Sequence, residues 1–421
     1  MHPLSLNFLL LHSSTILSKV IKNGMIKNHP VRILYVGVAP IQNTQPFRLL
    51  TGHTEFSATV IYLKRPEANA DLDKESITKA AFDIDLVSGY SNHFLKTFNL
   101  AKRGFFSLIS FGIIKWVRGS DIIVIYGHYY FTFWLAMLAA KLFSKKLVQT
   151  TDAVYMEATA ESGGWKMKIK PSFLRWLYNR FVDGLFVTST TSKLFLKSIG
   201  INENKMVVIP YAVDEEMIKK ISAATDVAAF RARLNIPMQN TVFIFCAKFI
   251  SRKRPMDAIE AFSKLTNRDI KLIMIGDGPL KDSLTQRVKE LNMSDKIIFP
   301  GLVPYSKLAG WYTASDALVF CSEHEPYGLP VNEAMLCGIP VIVSDRIGSR
   351  MDLVEEGITG WVYRTGDINQ LSERMNQVIN LKRQGSLQKM GEAAKIKMTN
   401  WSSETNLQNQ LNFFKQQNWV G

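Results

Sequence analysis

The chain contains little cysteine: Cys246, Cys321 and Cys337 are the three in 421 residues. All three stand in apolar segments of the second half without the spacing of metal ligands. This predicts small core residues in a reducing compartment, not disulfides or a zinc site. Runs of about 18 apolar residues, low-complexity tracts and solenoid repeats are also lacking. The sequence therefore excludes disulfide scaffolds, membrane-spanning helices and repeat arrays, and its 47% hydrophobic and 21% charged residues fit an ordinary globular protein.

The N-terminal stretch LSLNFLLLHSSTILSKVI is apolar only in part, because His12 and three hydroxyl residues interrupt it. It has neither a basic n-region nor a clear small-residue cleavage site, so it does not read as a signal peptide. We expect residues 1–30 to be an extension, with the compact protein beginning near Met25, and we expect a cytoplasmic protein.

Positive charge is concentrated in the first half of the chain. The net charge is +15, and residues 1–210 hold 25 Lys and Arg against 13 Asp and Glu, a balance of +12. The remaining residues hold 26 against 23, a balance of +3. Such asymmetry predicts an acidic partner for the first half, either nucleic acid or an anionic membrane surface.

Short apolar runs alternate with helix-like segments along the whole chain. The first series of predicted strands comprises residues 31–37, 58–63, 82–87, 121–127, 146–151, 184–189 and 206–211, and the second comprises 241–247, 270–276, 296–301, 317–322, 339–344 and 360–364. Continuous apolar strands between helices indicate parallel sheets covered on both faces. The sequence therefore predicts an α/β protein with two doubly wound, Rossmann-like domains, over residues 31–212 and 213–400, facing across a cleft. The tail 401–421 is helical in composition and could pack back on the first domain.

The stretch EPYGLPVNEAMLCGIP, residues 325–340, follows a predicted strand and places two carboxylates around a Gly-Leu-Pro turn. The turn leads into a short helix with Pro330 at its first position, so free backbone amides should point above the sheet, where anions bind. Glu325 should face the cleft. Glu333, placed by the pattern in the first helical turn, can accept hydrogen bonds from a ribose diol or can simply be a surface residue at the helix dipole.

A basic turn, KFISRKRP, follows the first strand of the second series. It contains Lys248, Arg252, Lys253 and Arg254 before a helix predicted to begin at Pro255. One helix end stabilises a pyrophosphate by only about 0.3–1 kcal/mol per interaction, so cations at this edge of the sheet are expected to bind it as well. The alternative is a solvated basic turn.

These segments together resemble the retaining glycosyltransferases of family 4, which have the GT-B fold. EPYGLPVNE resembles the family's E-x7-E motif, and CAKFISRKRPMDAIEAF is similar to its Gly-Arg-Leu-x-x-x-Lys-Gly segment. IGDGPLKDSL, FPGLVPYSKLAGWYTASDALVFCS, GIPVIVSD and VVIPYAVD follow in the family's order. The resemblance is strong over residues 184–365 and weaker over 31–183.

The resemblance implies a donor site at one edge of the second domain. Lys248, which stands where the family usually has Arg, and Lys253 would hold the pyrophosphate, and Glu333 the ribose hydroxyls. Glu325 would lie beside the transferred sugar. The residues whose backbone groups would contact the donor are Gly328 and Leu329 at its phosphate or sugar, Leu302 and Val303 at its base, and Gly37 at the end of the first strand.

Three positions in the first domain leave alternatives open. Asp152, after the strand KLVQTT, stands where many family members have His; it would contact the reacting hydroxyls or cap the next helix. His128, in IYGHYYF, could face the cleft or pack among aromatic residues. The sequence GVAPIQNTQ after Gly37 lacks the family's double glycine, so a contact of this loop with the acceptor stays open.

The activity implied is transfer of a sugar from a nucleotide-sugar to an acceptor hydroxyl with the anomeric configuration retained, in the assembly of a cell-surface polysaccharide or glycolipid. The donor is a substrate, no cofactor is expected, and the lysines would replace a metal ion. The acidic clusters DLD (71–73) and DID (83–85) resemble the Asp-x-Asp motif of metal-dependent transferases, and we interpret them as a loop and a strand. The alternative function is a non-catalytic GT-B accessory subunit that binds sugar or protein.

The acceptor would be a glycan or a lipid-linked sugar, and the basic first half would bind the inner face of the cell membrane. Segments 101–119 and 165–181 interleave Lys and Arg with Phe, Trp and Ile, a combination typical of surfaces that lie in lipid headgroups. The alternative is that these aromatic residues are core. No recognisable nucleic-acid-binding module accompanies the charge, so we expect no nucleic-acid partner.

Overall fold

The computed structural model describes residues 29–40, 44–65, 83–154 and 165–420. The predicted extension up to residue 28, the acidic cluster 71–73 and residues 155–164, which would carry the helix after Asp152, lie outside these ranges.

The first domain is built on a sheet of seven parallel strands in the order β3-β2-β1-β4-β5-β6-β7. The strands are β1 (Val31–Gly37), β2 (Phe56–Tyr62), β3 (Asn92–Phe94), β4 (Ile122–Tyr126), β5 (Lys146–Thr151), β6 (Gly184–Val187) and β7 (Met206–Val208). The helices of this half are α1 (Gln45–Leu50), α2 (Ile113–Arg118), α3 (Phe131–Leu142), α4 (Trp165–Phe181) and α5 (Thr190–Ser198). The order reverses between β1 and β4, which places the ligand crevice of such a fold at the carboxyl ends of these two strands.

The strand predicted at residues 82–87 is wrong. Asp83 and Asp85 lie in a loop, and the third strand is the short segment Asn92–Phe94. The Asp85 carboxylate accepts hydrogen bonds from the backbone N–H groups of Val87 and Ser88 at 2.9 and 3.0 Å. Acidic side chains that bond neighbouring amides in this way compete with a strand ladder. The interpretation of 83–85 as a strand is therefore corrected to a turn.

The second domain contains a sheet of six parallel strands in the order β10-β9-β8-β11-β12-β13. The strands are β8 (Thr241–Cys246), β9 (Ile270–Ile275), β10 (Ile297–Gly301), β11 (Ala317–Phe320), β12 (Val341–Ser344) and β13 (Gly360–Tyr363). The helices are α6 (Glu215–Ala224), α7 (Val227–Arg233), α8 (Pro255–Ser263), α9 (Lys281–Glu290), α10 (Tyr305–Thr313), α11 (Leu329–Leu336), α12 (Arg350–Leu353), α13 (Ile368–Arg383), α14 (Leu387–Thr399) and α15 (Ser403–Gln416). Each sheet is covered by a buried apolar cluster on both faces, which explains why its strands read as unbroken apolar runs.

The last helix, α15, leaves the second domain and packs against the first. The hydroxyl of Tyr35 in β1 donates to the Gln410 side chain at 2.9 Å, and the Asn406 side chain donates to the carbonyl of Pro210 at 2.9 Å. The chain therefore passes between the domains twice. The two passages are bonded to each other, because the backbone N–H of Ser403 donates to the carboxylate of Glu215 at 2.7 Å.

A candidate site at the carboxyl edges of the two sheets

Glu325 and Lys253 form an ion pair at the carboxyl edge of the second sheet. Their side chains are only 15% and 14% exposed, and the Lys253 ammonium also lies 5.5 Å from the centre of the Phe320 ring. The backbone of Glu325 is fixed as well, since its carbonyl accepts from the Gly348 N–H at 2.8 Å. The structure therefore brings together two residues that stand 72 positions apart in the sequence.

Gly328 makes the turn between this ion pair and helix α11. Its φ is 102°, and a Cβ added there would lie 2.9 Å from Cγ2 of Ile347, so only glycine fits without strain. The helix begins at Leu329, directly after the turn. The Gly-Leu-Pro sequence is thus explained by geometry, and it places the start of α11 beside Glu325.

Glu333 lies deeper than the sequence suggested. It is the fifth residue of α11, so its assignment to the first turn is wrong, and at 4% exposure the surface alternative is wrong too. The Tyr312 hydroxyl on α10 donates to its carboxylate at 3.0 Å. Burial raises the pKa of Glu333 to about 7, against the hydrogen bonds from Tyr312 and Tyr305 that lower it. The neutral form of this carboxyl group is therefore favoured to a higher pH than in an exposed glutamate.

The arginines of the basic turn hold the turn in place. Arg254 adopts a left-handed conformation with φ 49° and pairs with Asp257 at 2.6 Å and Glu323 at 3.2 Å. Arg252 donates to the His324 carbonyl at 3.1 Å. These contacts tie the turn to the segment that precedes Glu325, so the alternative of a merely solvated basic turn is wrong. Binding of an anion by Lys248 and Lys253 stays a prediction, while Arg252 and Arg254 are engaged in these contacts within the domain.

Lys248 lies in a loop whose backbone is held by contacts with residues 275–279, the segment IGDGP. The Phe249 N–H donates to the Asp277 carbonyl at 2.9 Å, and a Cβ on Gly276, whose φ is 148°, would lie 2.0 Å from the Ala247 carbonyl oxygen. Glycine at position 276 is therefore required for the close approach of the two loops. Leu302 and Val303 follow β10, the edge strand beside β9, and both are half-buried.

A cavity of about 420 Å³ opens at the carboxyl edge of the first sheet, where its strand order reverses. Gly37 at the end of β1, His128 after β4 and Asp152 after β5 all line it. Most of the wall is aromatic or small and apolar: Phe47, Tyr62, Tyr126, Tyr129, Tyr211, Val38, Ala39 and Val60, with Thr44, Thr150, Thr151 and Gly127 completing it. The three sequence-predicted residues of the first domain thus share one cavity.

Asp152 and His128 have partners within this cavity. The Tyr211 hydroxyl donates to the Asp152 carboxylate at 3.4 Å. The His128 ring stacks on Tyr129, with 4.9 Å between ring centres, and lies 6.1 Å from Phe173. Both interpretations of His128 therefore apply, since it lines the cavity and packs among aromatic rings. The capping interpretation of Asp152 concerns residues outside the described part of the chain.

Tyr211 connects the two domains at this point. Its hydroxyl contacts Asp152, and its ring meets that of Tyr327 edge-on with 5.4 Å between ring centres. Tyr327 lies between Glu325 and Gly328 in the turn of the second domain. The sequence analysis did not predict Tyr211, Tyr305 or Tyr312 as site residues. Tyr305 and Tyr312 stand seven residues apart, a spacing that places two side chains on the same face of a helix, and this was the available signal for them.

Comparison with known proteins gives matches over both halves of the chain. Residues 58–217 match the family model "Glycosyltransferase Family 4", and residues 226–397 match "Glycosyl transferases group 1". The chain is 32% identical over 171 residues to N-acetyl-alpha-D-glucosaminyl L-malate synthase of Bacillus anthracis, covering 40% of this chain and 44% of that protein. It is 24% identical over 234 residues to alpha-monoglucosyldiacylglycerol synthase of Streptococcus pneumoniae, covering 50% and 53%. The chain thus spans about half the length of the curated relatives it matches.

Solved structures match over most of the chain. A glycosyltransferase from Rickettsia africae aligns with a TM-score of 0.70 at 18% identity, covering 92% of this chain and 98% of that one. Anabaena HepE in complex with UDP aligns with a TM-score of 0.70 at 18% identity, covering 92% and 100%. The predicted fold is confirmed: two Rossmann-like domains in the GT-B arrangement.

Proposed function

We propose that this chain is a retaining glycosyltransferase that moves a sugar from a nucleotide-sugar donor to an acceptor hydroxyl in polysaccharide or glycolipid assembly. The main support for the proposal is that each sheet contributes one part of a site at its carboxyl edge. The second sheet contributes the ion pair of Lys253 and Glu325, and the first contributes the cavity that contains Asp152. The family matches on both halves and the neighbour that was crystallised with UDP support the same assignment.

In this proposal the second domain binds the donor. Lys248 and Lys253 hold the pyrophosphate, Glu333 accepts hydrogen bonds from the ribose diol, and the amides at the start of α11 contact phosphate or sugar. Lys253 must then exchange its partner, from the Glu325 carboxylate to a phosphate oxygen, when the donor binds. The exchange leaves the Glu325 carboxylate beside the sugar, where positive charge develops during transfer.

The reaction breaks the bond between the anomeric carbon and the phosphate oxygen and forms a bond from that carbon to the acceptor oxygen. The electron pair of the broken bond leaves on the nucleoside diphosphate, whose negative charge the two lysines stabilise and whose phosphate oxygen takes the proton of the acceptor hydroxyl. The lysines supply this charge in place of a metal ion, so the proposed reaction needs no cofactor. Retention of configuration is part of the proposal through the resemblance to the E-x7-E motif, and the anomeric form of the product, read by NMR coupling constants, tests it.

Activity is expected to appear as release of nucleoside diphosphate in a screen of UDP-, GDP-, ADP- and TDP-sugars. The ionisation of Glu333 fixes the direction in which the donor KM should change with pH. Burial favours the protonated form of Glu333, so below about pH 7 the carboxylate that accepts both ribose hydrogen bonds is lost. The donor KM should therefore rise by about tenfold as pH falls from 8 to 6, because the ionised fraction of a group with a pKa of about 7 falls by that factor, and Glu333→Gln should remove this dependence.

The alternative function, a GT-B accessory subunit, makes the opposite forecast. Such a subunit would bind sugar or protein and release no diphosphate from any donor, whatever acceptor is added. A donor KM that stays constant between pH 6 and 8 in the active enzyme would remove Glu333 from the ribose site while leaving the transferase assignment standing.

We further propose that the first domain attaches to an anionic membrane surface. An aromatic cluster of Phe98, Phe105, Phe106, Phe111 and Phe131 lies on its surface, with ring centres 5.0–6.4 Å apart. Four of the five rings are exposed, Phe111 by 58%. The core interpretation is therefore wrong for Phe105, Phe106 and Phe111, although Ile109, Ile113 and Val117 of the same segment, 101–119, are buried.

Segments 101–119 and 165–181 also carry exposed positive charge and further apolar surface. Phe131 also borders an apolar groove with Leu138, which is 62% exposed, and Phe181. Exposed cations on the same segments are Lys102, Arg103, Lys115, Arg118, Arg175 and Arg180. This combination suits an anionic lipid surface, where each nearby cation contributes about 1 kcal/mol. Within the described residues no helix is long and apolar enough to cross the bilayer.

The membrane surface would lie next to the acceptor cavity. Tyr129 lines the cavity, and Phe131, two residues further along, belongs to the aromatic cluster. A lipid-linked acceptor could then reach the cavity from the membrane plane, and the relative named for a glucosyldiacylglycerol supports a lipid acceptor.

We expect the protein to sediment with liposomes that contain phosphatidylglycerol at low salt and to remain in solution with pure phosphatidylcholine. The double variant Phe106→Ala/Phe111→Ala should weaken this binding at least tenfold, since each buried aromatic side chain contributes about 1.5–3 kcal/mol. Ile396→Ala, which removes an exposed apolar residue of the second domain, is the matched control and should bind normally. No binding to either liposome at low salt would refute the membrane proposal.

A further inference from the structure

We infer that the acceptor entering the first-domain cavity is an uncharged sugar ring, held by aromatic carbon surface and hydroxyl hydrogen bonds and not by a cation. The inference rests on the proposed function, because it takes this cavity as the acceptor site. Its volume of about 420 Å³ falls within the usual range for small-molecule sites, about 300–1,000 Å³.

The charge of the wall selects against anions. Among the described residues that line the cavity, none is lysine or arginine, and Asp152 is a carboxylate. A phosphate or carboxylate on the acceptor would lose its hydration, find neither lysine nor arginine among the described lining residues and meet the like charge of Asp152. A neutral hydroxyl, by contrast, can donate to Asp152.

The tyrosines of the wall remain neutral and add no charge to the cavity, whose other described ionisable lining residues are Asp152 and His128. Burial raises the pKa of Tyr62, Tyr126 and Tyr211, so all three stay protonated at physiological pH. The hydroxyl of Tyr62 bonds that of Tyr90 at 2.8 Å, which itself donates to the Leu86 carbonyl at 2.7 Å. With its hydroxyl engaged within the domain, Tyr62 offers the cavity mainly ring carbon, the surface on which the C–H face of a sugar packs.

One polar atom in the wall has no partner in the described structure. The hydroxyl oxygen of Thr150, a buried residue at the end of β5, makes no hydrogen bond there. Buried hydroxyls are normally satisfied. The Thr150 hydroxyl is shielded as it stands, and rotation about the Cα–Cβ bond of Thr150 would turn it toward a ligand hydroxyl in the cavity. A polyhydroxylated ring supplies such groups next to the one that reaches Asp152.

The experiment measures acceptor binding directly by calorimetry on the full chain, with no donor present. Octyl glycosides of the common hexoses are each compared with the octyl glycoside of the matching uronic acid, which differs by one carboxylate at C6. We expect at least one hexoside to bind and its uronoside to bind at least tenfold more weakly. Thr150→Val should weaken hexoside binding about two- to tenfold, the usual effect of one hydrogen bond, and Thr150→Ser should restore it.

Uronosides that bind as tightly as hexosides, or no binding of any hexoside at millimolar concentration, would overturn the inference. Because these measurements do not require turnover, they are independent of the donor screen. Hexoside binding without any diphosphate release would count against the proposed transfer reaction and still support an uncharged ligand in the cavity.

Discussion

Replacing Asp152 by asparagine is expected to lower kcat about a hundredfold while the fold and donor binding are preserved. Asn has nearly the same shape and can still accept from the Tyr211 hydroxyl, so the local packing is kept. What is lost is the negative charge beside a sugar carbon that becomes positive in the transition state. Because the contact strengthens in the transition state, kcat should fall far more than KM rises. A hundredfold loss corresponds to about 2.7 kcal/mol, the usual scale for a positioned catalytic group.

Steady-state kinetics and thermal melting on the same preparations check this expectation. Asp121→Asn is the control, because Asp121 pairs with Arg32 at the opposite end of the first sheet and should not affect turnover. If the Asp152→Asn enzyme turned over near the wild-type rate but melted several degrees lower, Asp152 would be a structural residue and not a catalytic group.

Lys253→Ala is expected to weaken nucleotide-sugar binding at least tenfold and to lower the melting temperature. Hydrogen bonds to charged groups contribute about 1.5–3 kcal/mol, so loss of the pyrophosphate contact accounts for the affinity. The loss of stability has a separate cause, because Glu325 would keep its partly buried charge without a partner. Compared with Lys253→Ala alone, the double variant Lys253→Ala/Glu325→Gln should therefore have a higher melting temperature, while its affinity for the donor should remain low.

Calorimetric titration with donor and a melting curve for each variant separate the two effects. Lys264→Ala provides the control, since Lys264 is exposed at the other end of helix α8, away from the basic turn. Unchanged donor affinity in a folded Lys253→Ala protein would show that the pyrophosphate binds elsewhere.

The strands of both domains could be predicted because parallel strands covered on two faces are continuous apolar runs. All six strands of the second sheet and six of the seven in the first coincide with such runs. Strand β3 escaped detection since its sequence, Asn-His-Phe, is short and polar. The nearby run 82–87 was apolar enough to suggest a strand, but its two aspartates bond backbone amides of turns and of α10 instead.

The candidate site was predictable where it depends on local sequence and not where it depends on distant contacts. The Gly-Leu-Pro turn and the helix after it follow from residues 328–336 alone. The burial of Glu333 depends on tyrosines of α10, and the role of Arg254 depends on Glu323, neither of which is a sequence neighbour. The partnership of Asp152 with Tyr211 joins residues 59 positions apart, which no local pattern reports.

The double passage of the chain between the domains has a mechanical consequence. Two neighbouring covalent linkers form an interdomain hinge. They allow the domains to bend about the line that joins the linkers, and they resist sliding or twisting of one domain against the other. The bond between Ser403 and Glu215 holds the two links together at that line. The Asn406 side chain of helix α15 donates a hydrogen bond to the carbonyl of Pro210, the residue before Tyr211. The contact between Tyr211 and Tyr327 therefore lies close to the hinge line. A bending motion about this line would therefore change the gap between the lysines and the first-domain cavity more than it changes the contact between Tyr211 and Tyr327.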